Sequence, residues 1–244
     1  WSPDGTRVAF LAAREVGAHS SYNTHLWVAN PASGTLSDLF AGLDRSAELQ
    51  VSSDLPSPST SAPVWSRDGQ ALFCLAQRGG STEGLRAPRD GGTVASALGI
   101  MPAAIKQIAL SADGQHLVAL RCDATHPWEI WRVPLDGGSQ PHQLTRVTEP
   151  VFAATTVAAP EPFQFASFDG QEIEAWLYRP GGRGPAPLVL TIHGGPHSAY
   201  GNAFSLLAQV LVGRGNAVLQ VNPRGSAGYG EAFLQACDRD WGGG

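Results

Sequence analysis

A single lysine, Lys106, occurs in 244 residues, and arginine supplies nearly all the positive charge. With a net charge of -5 the chain has no basic excess to track a phosphate backbone or an anionic bilayer surface, which argues against nucleic acid and against a membrane as partners. Cysteine is almost as sparse. Cys74, Cys122 and Cys237 are scattered, odd in number and form no C-x-x-C pair, so neither a disulfide framework nor a zinc knuckle is expected. Buried free thiols of a reducing, cytoplasmic compartment are the simpler reading. No window reaches the roughly 18 consecutive apolar residues of a membrane span. What the chain does have is 43% hydrophobic residues, ordinary for a soluble globular protein.

Up to about residue 150 one phrase recurs. Trp1-Ser2-Pro3-Asp4-Gly5 leads into Val8-Ala9-Phe10, Trp65-Ser66-Arg67-Asp68-Gly69 into Ala71-Leu72-Phe73, and Leu110-Ser111-Ala112-Asp113-Gly114 into His116-Leu117-Val118. Asp-Gly accepts the positive φ of a tight turn, and the apolar alternation after it suits a half-buried strand. A second strand follows each: residues 25–30, 84–88 and 129–134 precede the turns Ser33-Gly34, Asp90-Gly91-Gly92 and Asp136-Gly137-Gly138. Strand, turn, strand without intervening helices predicts a partial β-propeller of about three blades over residues 1–150, with further blades expected upstream of Trp1 because three do not close a ring. The repeated Trp, Ser and Asp are read as architectural. The Ser/Pro-rich residues 46–62 read as a connection between blades.

From 151 to 244 the pattern changes. Residues 163–168 and 171–178 around Asp169-Gly170 predict an antiparallel pair, and 180–187 a Gly/Pro loop. Leu188-Val189-Leu190-Thr191-Ile192 reads as a strand buried on both faces. Residues 202–214 carry Phe204, Leu207, Ala208 and Leu211 at helical spacing before Gly215, and Ala217-Val218-Leu219-Gln220-Val221 is another strand. Strand, helix, strand opens a parallel α/β sheet.

Directly after the first apolar strand comes His193-Gly194-Gly195-Pro196, a turn of the kind that gives α/β-hydrolases an oxyanion-binding backbone N–H. Together with the propeller phrases, the entry Asp169-Gly170-Gln171-Glu172-Ile173-Glu174-Ala175-Trp176-Leu177, the segment Asn222-Pro223-Arg224-Gly225-Ser226-Ala227-Gly228-Tyr229-Gly230 and Asp240-Trp241-Gly242-Gly243, it resembles the prolyl oligopeptidase family of serine peptidases, in its acylaminoacyl-peptidase and dipeptidyl-aminopeptidase-like branch. The resemblance implies a propeller capping an α/β-hydrolase domain of which residues 151–244 are the N-terminal part. It implies a short-peptide substrate, no cofactor, a Gly195 N–H in the oxyanion hole with His193 as a further candidate, and Arg224 and Tyr229 in the wall of the substrate site. The Ser-Asp-His triad is expected beyond Gly244, the fragment alone is expected to be inactive, and the parent could form a homo-oligomer.

Sharper readings compete with plainer ones. Ser226 lies in Arg224-Gly225-Ser226-Ala227-Gly228, where an arginine replaces the small residue a nucleophile elbow needs, and no histidine follows it, so it reads as a turn serine. His193 and His197 cannot share a helix face across Gly194-Gly195-Pro196, so no metal is expected there. For His193, packing and direct substrate contact both remain open. Glu172 and Glu174 share a strand face that reads as solvated, and Arg224 suits a salt bridge as well as a substrate contact. His25, His116, His126 and His142 are read as structural. An esterase on the same scaffold, or a non-catalytic propeller module that binds peptides or proteins, are the alternative functions.

Overall fold

The computed structural model describes residues 1–15, 21–98, 102–182 and 184–242. Gly243 of the C-terminal motif and Arg183 of the 180–187 loop lie outside them.

Three copies of one hydrogen-bonded turn organise the first part of the chain. Ser2 Oγ donates to Asp4 Oδ1 (2.6 Å), Asp4 Oδ1 accepts the Thr6 N–H (3.0 Å), and the Arg7 N–H donates back to Ser2 Oγ (2.9 Å). Ser66 and Asp68 repeat this with Gln70 and Ala71 at 2.6, 3.0 and 2.9 Å, and Ser111 and Asp113 with Gln115 and His116 at 2.5, 2.9 and 3.0 Å. The repeated serine and aspartate are therefore consumed in making the turn. Gly5, Gly69 and Gly114 sit at φ of +69°, +66° and +72°, which a side chain rarely adopts.

The bonds from Ser2 and from the Thr6 backbone hold the Asp4 carboxyl at about 2, and Ser139 together with its N–H does the same for Asp136. A depressed carboxyl contributes stability above its unfolded value, here 3.8, and loses it as the pH falls through the folded value. We therefore expect the urea midpoint to drop between about pH 4 and pH 2, with a smaller drop in an Asp4→Asn, Asp136→Asn double variant. An identical acid limb in that variant would contradict the assignment.

Each turn opens a sheet of antiparallel neighbours. Strands β1 (Val8–Ala13), β2 (Thr24–Asn30) and β3 (Thr35–Asp38) form the first in that order. The second is β4 (Val64–Trp65), β5 (Ala71–Arg78), β6 (Ser81–Pro88) and β7 (Ala95–Ser96), and the third runs β8 (Ala104–Leu110), β9 (His116–Cys122), β10 (Glu129–Pro134) and β11 (His142–Gln143). Among the described residues none of the sheets is closed on itself. Strand β5 shows how they stack: Leu72, Cys74 and Ala76 join the core shared with Leu26, Phe40 and Leu85, while Phe73 and Leu75 join Leu98, Ile105 and Leu117. The period of two thus buries both faces of the middle sheet.

A short helix α1 (Glu149–Phe152) follows, straddling the boundary expected at residue 150, and Phe152 packs edge-on against Phe204 at 5.2 Å. Then come β12 (Glu161–Ala166), β13 (Glu172–Tyr178), β14 (Leu188–Thr191), α2 (Leu206–Gly213), β15 (Ala217–Val221) and α3 (Glu231–Gln235). The sheet order is β12-β13-β15-β14, antiparallel except for the parallel pair β14 and β15. Among the described residues no helix is long and apolar enough to cross a membrane.

Two sequence expectations need correcting. Strand β14 is an edge strand, not one buried on both faces: Leu188, Leu190 and Ile192 are 58%, 53% and 75% exposed, because no layer of the described chain covers that side. On α2 the inward face is Ala208 and Val212, continuing from buried Phe204, whereas Leu207 points outward; Trp176, Tyr178 and Val218 of the sheet complete that core.

The residues 46–62 connection also does more than join β3 to β4. Val51 bridges Ala199, with the Ser52 N–H donating to Ala199 O (2.8 Å) and the Ala199 N–H to Gln50 O (3.0 Å). Asp54 accepts the Leu206 and Leu207 N–H groups at 2.7 and 2.6 Å and so caps α2 beside the cap residue Ser205. Asp54→Ala should cost about 1 kcal/mol in denaturant unfolding; an unchanged midpoint would argue that the cap carries no stability.

Candidate active site

Because β14 and β15 are parallel, the loops after them leave the same end of the sheet, the end where open α/β sheets bind ligands. Four contacts knit the two loops together. His193 Nε2 lies 2.9 Å from Ser226 Oγ, His197 Nδ1 donates to Gly225 O (2.8 Å), and the Ala227 N–H donates to Ser198 O (3.3 Å). The Asn222 side chain acts as a surrogate strand, accepting the Tyr200 N–H (2.8 Å) and donating to Tyr200 O (2.9 Å) and Tyr229 Oη (2.6 Å). Asn222 is fully buried, and the sequence reading gave it no role of its own. Its signal was a polar residue at the end of the apolar run of β15.

His193 Nδ1 faces the Gly194 carbonyl at 3.0 Å, which accepts only, so the neutral ring carries its proton on Nδ1 and offers Nε2 to the Ser226 hydroxyl. Burial holds the ring below the ordinary imidazole pKa, and the Gly194 carbonyl offsets this only in part. The ring edge rests on Tyr200, with centroids 5.3 Å apart. The His193 and Ser226 pair has the reach of a nucleophile and base. Yet Ser226 is 0% exposed, Pro223 O (2.6 Å) competes with Nε2 for its one hydroxyl proton, and a carbonyl stands where a triad carboxylate would face Nδ1. A substrate carbonyl has no path to that oxygen.

Gly195 lies in the same loop at φ +130° and is exposed. A Cβ there would sit 2.5 Å from His197 N and 2.7 Å from Ser198 N, so the loop admits only glycine. Among the described residues nothing accepts the Gly195 N–H.

Arg224 pairs with Asp169 and stacks over Phe168 at 5.5 Å. The Gln171 N–H and then the guanidinium hold the Asp169 carboxyl below its usual range. Tyr229 donates its hydroxyl to Glu174, and its phenol is pushed far up, by burial first and by Glu174 next. Glu174 also accepts the Gly80 N–H (3.1 Å), so it does not lie on a solvated strand face as the alternation predicts. The reason is the hairpin between β5 and β6, which docks on it. Glu172 is exposed. Gln77, fully buried, completes this seam by donating to Ala227 O (2.9 Å) and accepting the Gln50 N–H (2.8 Å).

The remaining candidates are dispersed. His25 Nδ1 meets Asp38 at 3.0 Å and His126 Nδ1 meets Asp123 at 2.9 Å. All three cysteines are free and buried, and desolvation pushes the Cys74 and Cys122 thiols up to about 12.

The site thus joins stacked antiparallel sheets to a mixed sheet whose parallel strands end at a glycine loop. The chain superposes with a TM-score of 0.76 on an acylaminoacyl peptidase in complex with Z-Gly-Gly-Phe-chloromethyl ketone, at 22% identity over 96% of this chain and 33% of that one. Residues 202–244 match the model of the prolyl oligopeptidase family. The chain is 33% identical over 228 residues to the uncharacterized peptidase YuxL of Bacillus subtilis, covering 89% of this chain and 33% of that protein. It is 40% identical over 79 residues to the human acylamino-acid-releasing enzyme, covering 31% of this chain and 11% of that enzyme. The chain is thus similar to serine peptidases of the prolyl oligopeptidase family, and its residues 202–244 match that family's model. It spans about a third of the length of the first of these relatives.

Proposed function

We propose that this chain is part of a serine peptidase that hydrolyses short peptides, in the manner of acylaminoacyl- or dipeptidyl-peptidases. The observation that carries the reading is the N–H of exposed Gly195, unpartnered among the described residues, at the C-terminal end of the parallel pair and held by a loop that only glycine fits. Aimed at a scissile carbonyl, that N–H stabilises the oxyanion of the tetrahedral intermediate. Neutral His193 buttresses the loop through Ser226 and, on its exposed side, borders the space the substrate carbonyl enters. Arg224, fixed by Asp169, and Tyr229, fixed by Glu174 and Asn222, shape the wall behind it.

The division we infer is a partial propeller over residues 1–150 and the first part of an α/β-hydrolase domain over 151–244. The three antiparallel sheets are three blades, which restrict entry to short chains. Nucleophile, acid and base are supplied from outside these residues, so the 244-residue chain alone should not turn over peptide or ester substrates. The test is hydrolysis of acylated and free short peptides by the whole protein and by this chain. Turnover by the chain alone would overturn the assignment of the triad, and a whole protein that cleaves matched esters but no peptide would overturn the substrate class.

A further inference from the structure

Beside the Arg224-Gly225-Ser226 turn three side chains converge that the proposed mechanism does not use. One ring nitrogen of His197, Cys237 Sγ and a carboxylate oxygen of Asp238 all lie within 4.8 Å of one another. His197 and Cys237 are buried and Asp238 is exposed, so the group opens to solvent on one side. We propose that these three residues form a binding site for a zinc-class divalent cation.

The donor set of imidazole, thiolate and carboxylate suits a borderline-soft ion and is poorly matched to magnesium or calcium. The orientation of His197 fits the same role. Its Nδ1–H donates to the Gly225 carbonyl at 2.8 Å, which fixes the tautomer and leaves Nε2 unprotonated, the outer-shell arrangement that metal-binding histidines commonly carry. Asp238 is oriented likewise by the Ser21 hydroxyl, which donates to it at 2.9 Å. Room for the thiol depends on Gly225: a Cβ there would lie 2.3 Å from Cys237 Sγ. Around a tetrahedral zinc, ligand atoms stand about 3.3–3.8 Å apart, so the group needs to close by about 1 Å. Three protein ligands leave the fourth position to water or a further ligand. A cation there ties the loop after β14 to the segment after α3 and, through Ser21, to the start of β2. The inference does not rest on the peptidase reading.

The test is titration of the whole protein with Co2+ and then Zn2+. The expected result is one Co2+ per chain, with a thiolate-to-cobalt charge-transfer band in the near ultraviolet that Zn2+ displaces and Cys237→Ser abolishes. Asp238→Asn, at an exposed position that leaves the fold intact, should weaken binding by about tenfold or more. Zn2+ should raise the unfolding midpoint of the parent sequence and not that of Cys237→Ser. Absence of the thiolate band, its persistence in Cys237→Ser, or an affinity indifferent to Asp238→Asn would each overturn the proposal.

Discussion

Replacing Gly195 by alanine in the whole protein should lower kcat on a short peptide by about 10²–10³-fold while KM moves little. The loss follows from geometry. A methyl group at position 195 collides with the backbone nitrogens of His197 and Ser198, and no side-chain rotation relieves backbone atoms. The φ of +130° must also relax toward values an L-residue tolerates, which swings the 195 N–H away from its present direction. An oxyanion donor works only in place, so a displaced N–H removes transition-state stabilisation without removing ground-state contacts. Folding is checked separately by the thermal midpoint and near-ultraviolet circular dichroism. A folded variant with parental kcat would show that the Gly195 N–H takes no part.

The largest stability effect is expected at the seam between the hairpin of β5 and β6 and the loop after β14. Gly80→Ala should destabilise by about 3 kcal/mol, because its Cβ would stand 2.3 Å from the Trp176 ring and 2.7 Å from Gly201 Cα. Gly201→Ala should behave alike, since its Cβ would lie 2.0 Å from the Gly80 carbonyl oxygen. Trp176 is almost fully buried and cannot step aside, and the bonds from Asn202 N–H to Gly80 O (2.7 Å) and from Gly79 N–H to Gly228 O (2.7 Å) lock the hairpin to the loops after β14 and β15. Opening that contact should also separate the unfolding of the antiparallel sheets from that of the β12–β15 sheet. Single, cooperative unfolding of Gly80→Ala within about 1 kcal/mol of the parent would contradict this account.

The local structure was largely legible in the sequence. Asp4-Gly5, Asp68-Gly69 and Asp113-Gly114 announce their turns because aspartate and glycine carry the needed hydrogen bond and φ within five residues. The antiparallel pair around Asp169-Gly170 follows from the same chemistry. The loop after β14 was legible for the same reason, since Gly194-Gly195-Pro196 admits few backbones. What sequence did not yield is long-range partnership. Glu174 looks solvated by alternation alone; its partners Gly80 and Tyr229 lie 94 and 55 residues away. Asp54 sits in a Ser/Pro-rich stretch without any helical pattern, and its role depends on a helix 151–153 residues downstream. An apolar run such as Leu188-Val189-Leu190-Thr191-Ile192 reports a need for cover and not whether the cover is present. That is why β14 reads as central and lies at the edge.

The exposed row of Leu188, Leu190 and Ile192, with Leu207 and Val210 of α2, is the apolar surface through which the isolated chain should self-associate.

The central claim is that Gly195 serves a nucleophile lying outside these 244 residues. It is tested most directly by reacting the whole protein with a fluorophosphonate probe and mapping the adduct by peptide mass spectrometry. The account predicts a single labelled serine outside residues 1–244, protected by a peptide chloromethyl ketone, and labelled far more slowly in Gly195→Ala. An adduct on Ser226, or peptide hydrolysis that survives complete labelling elsewhere, would contradict it.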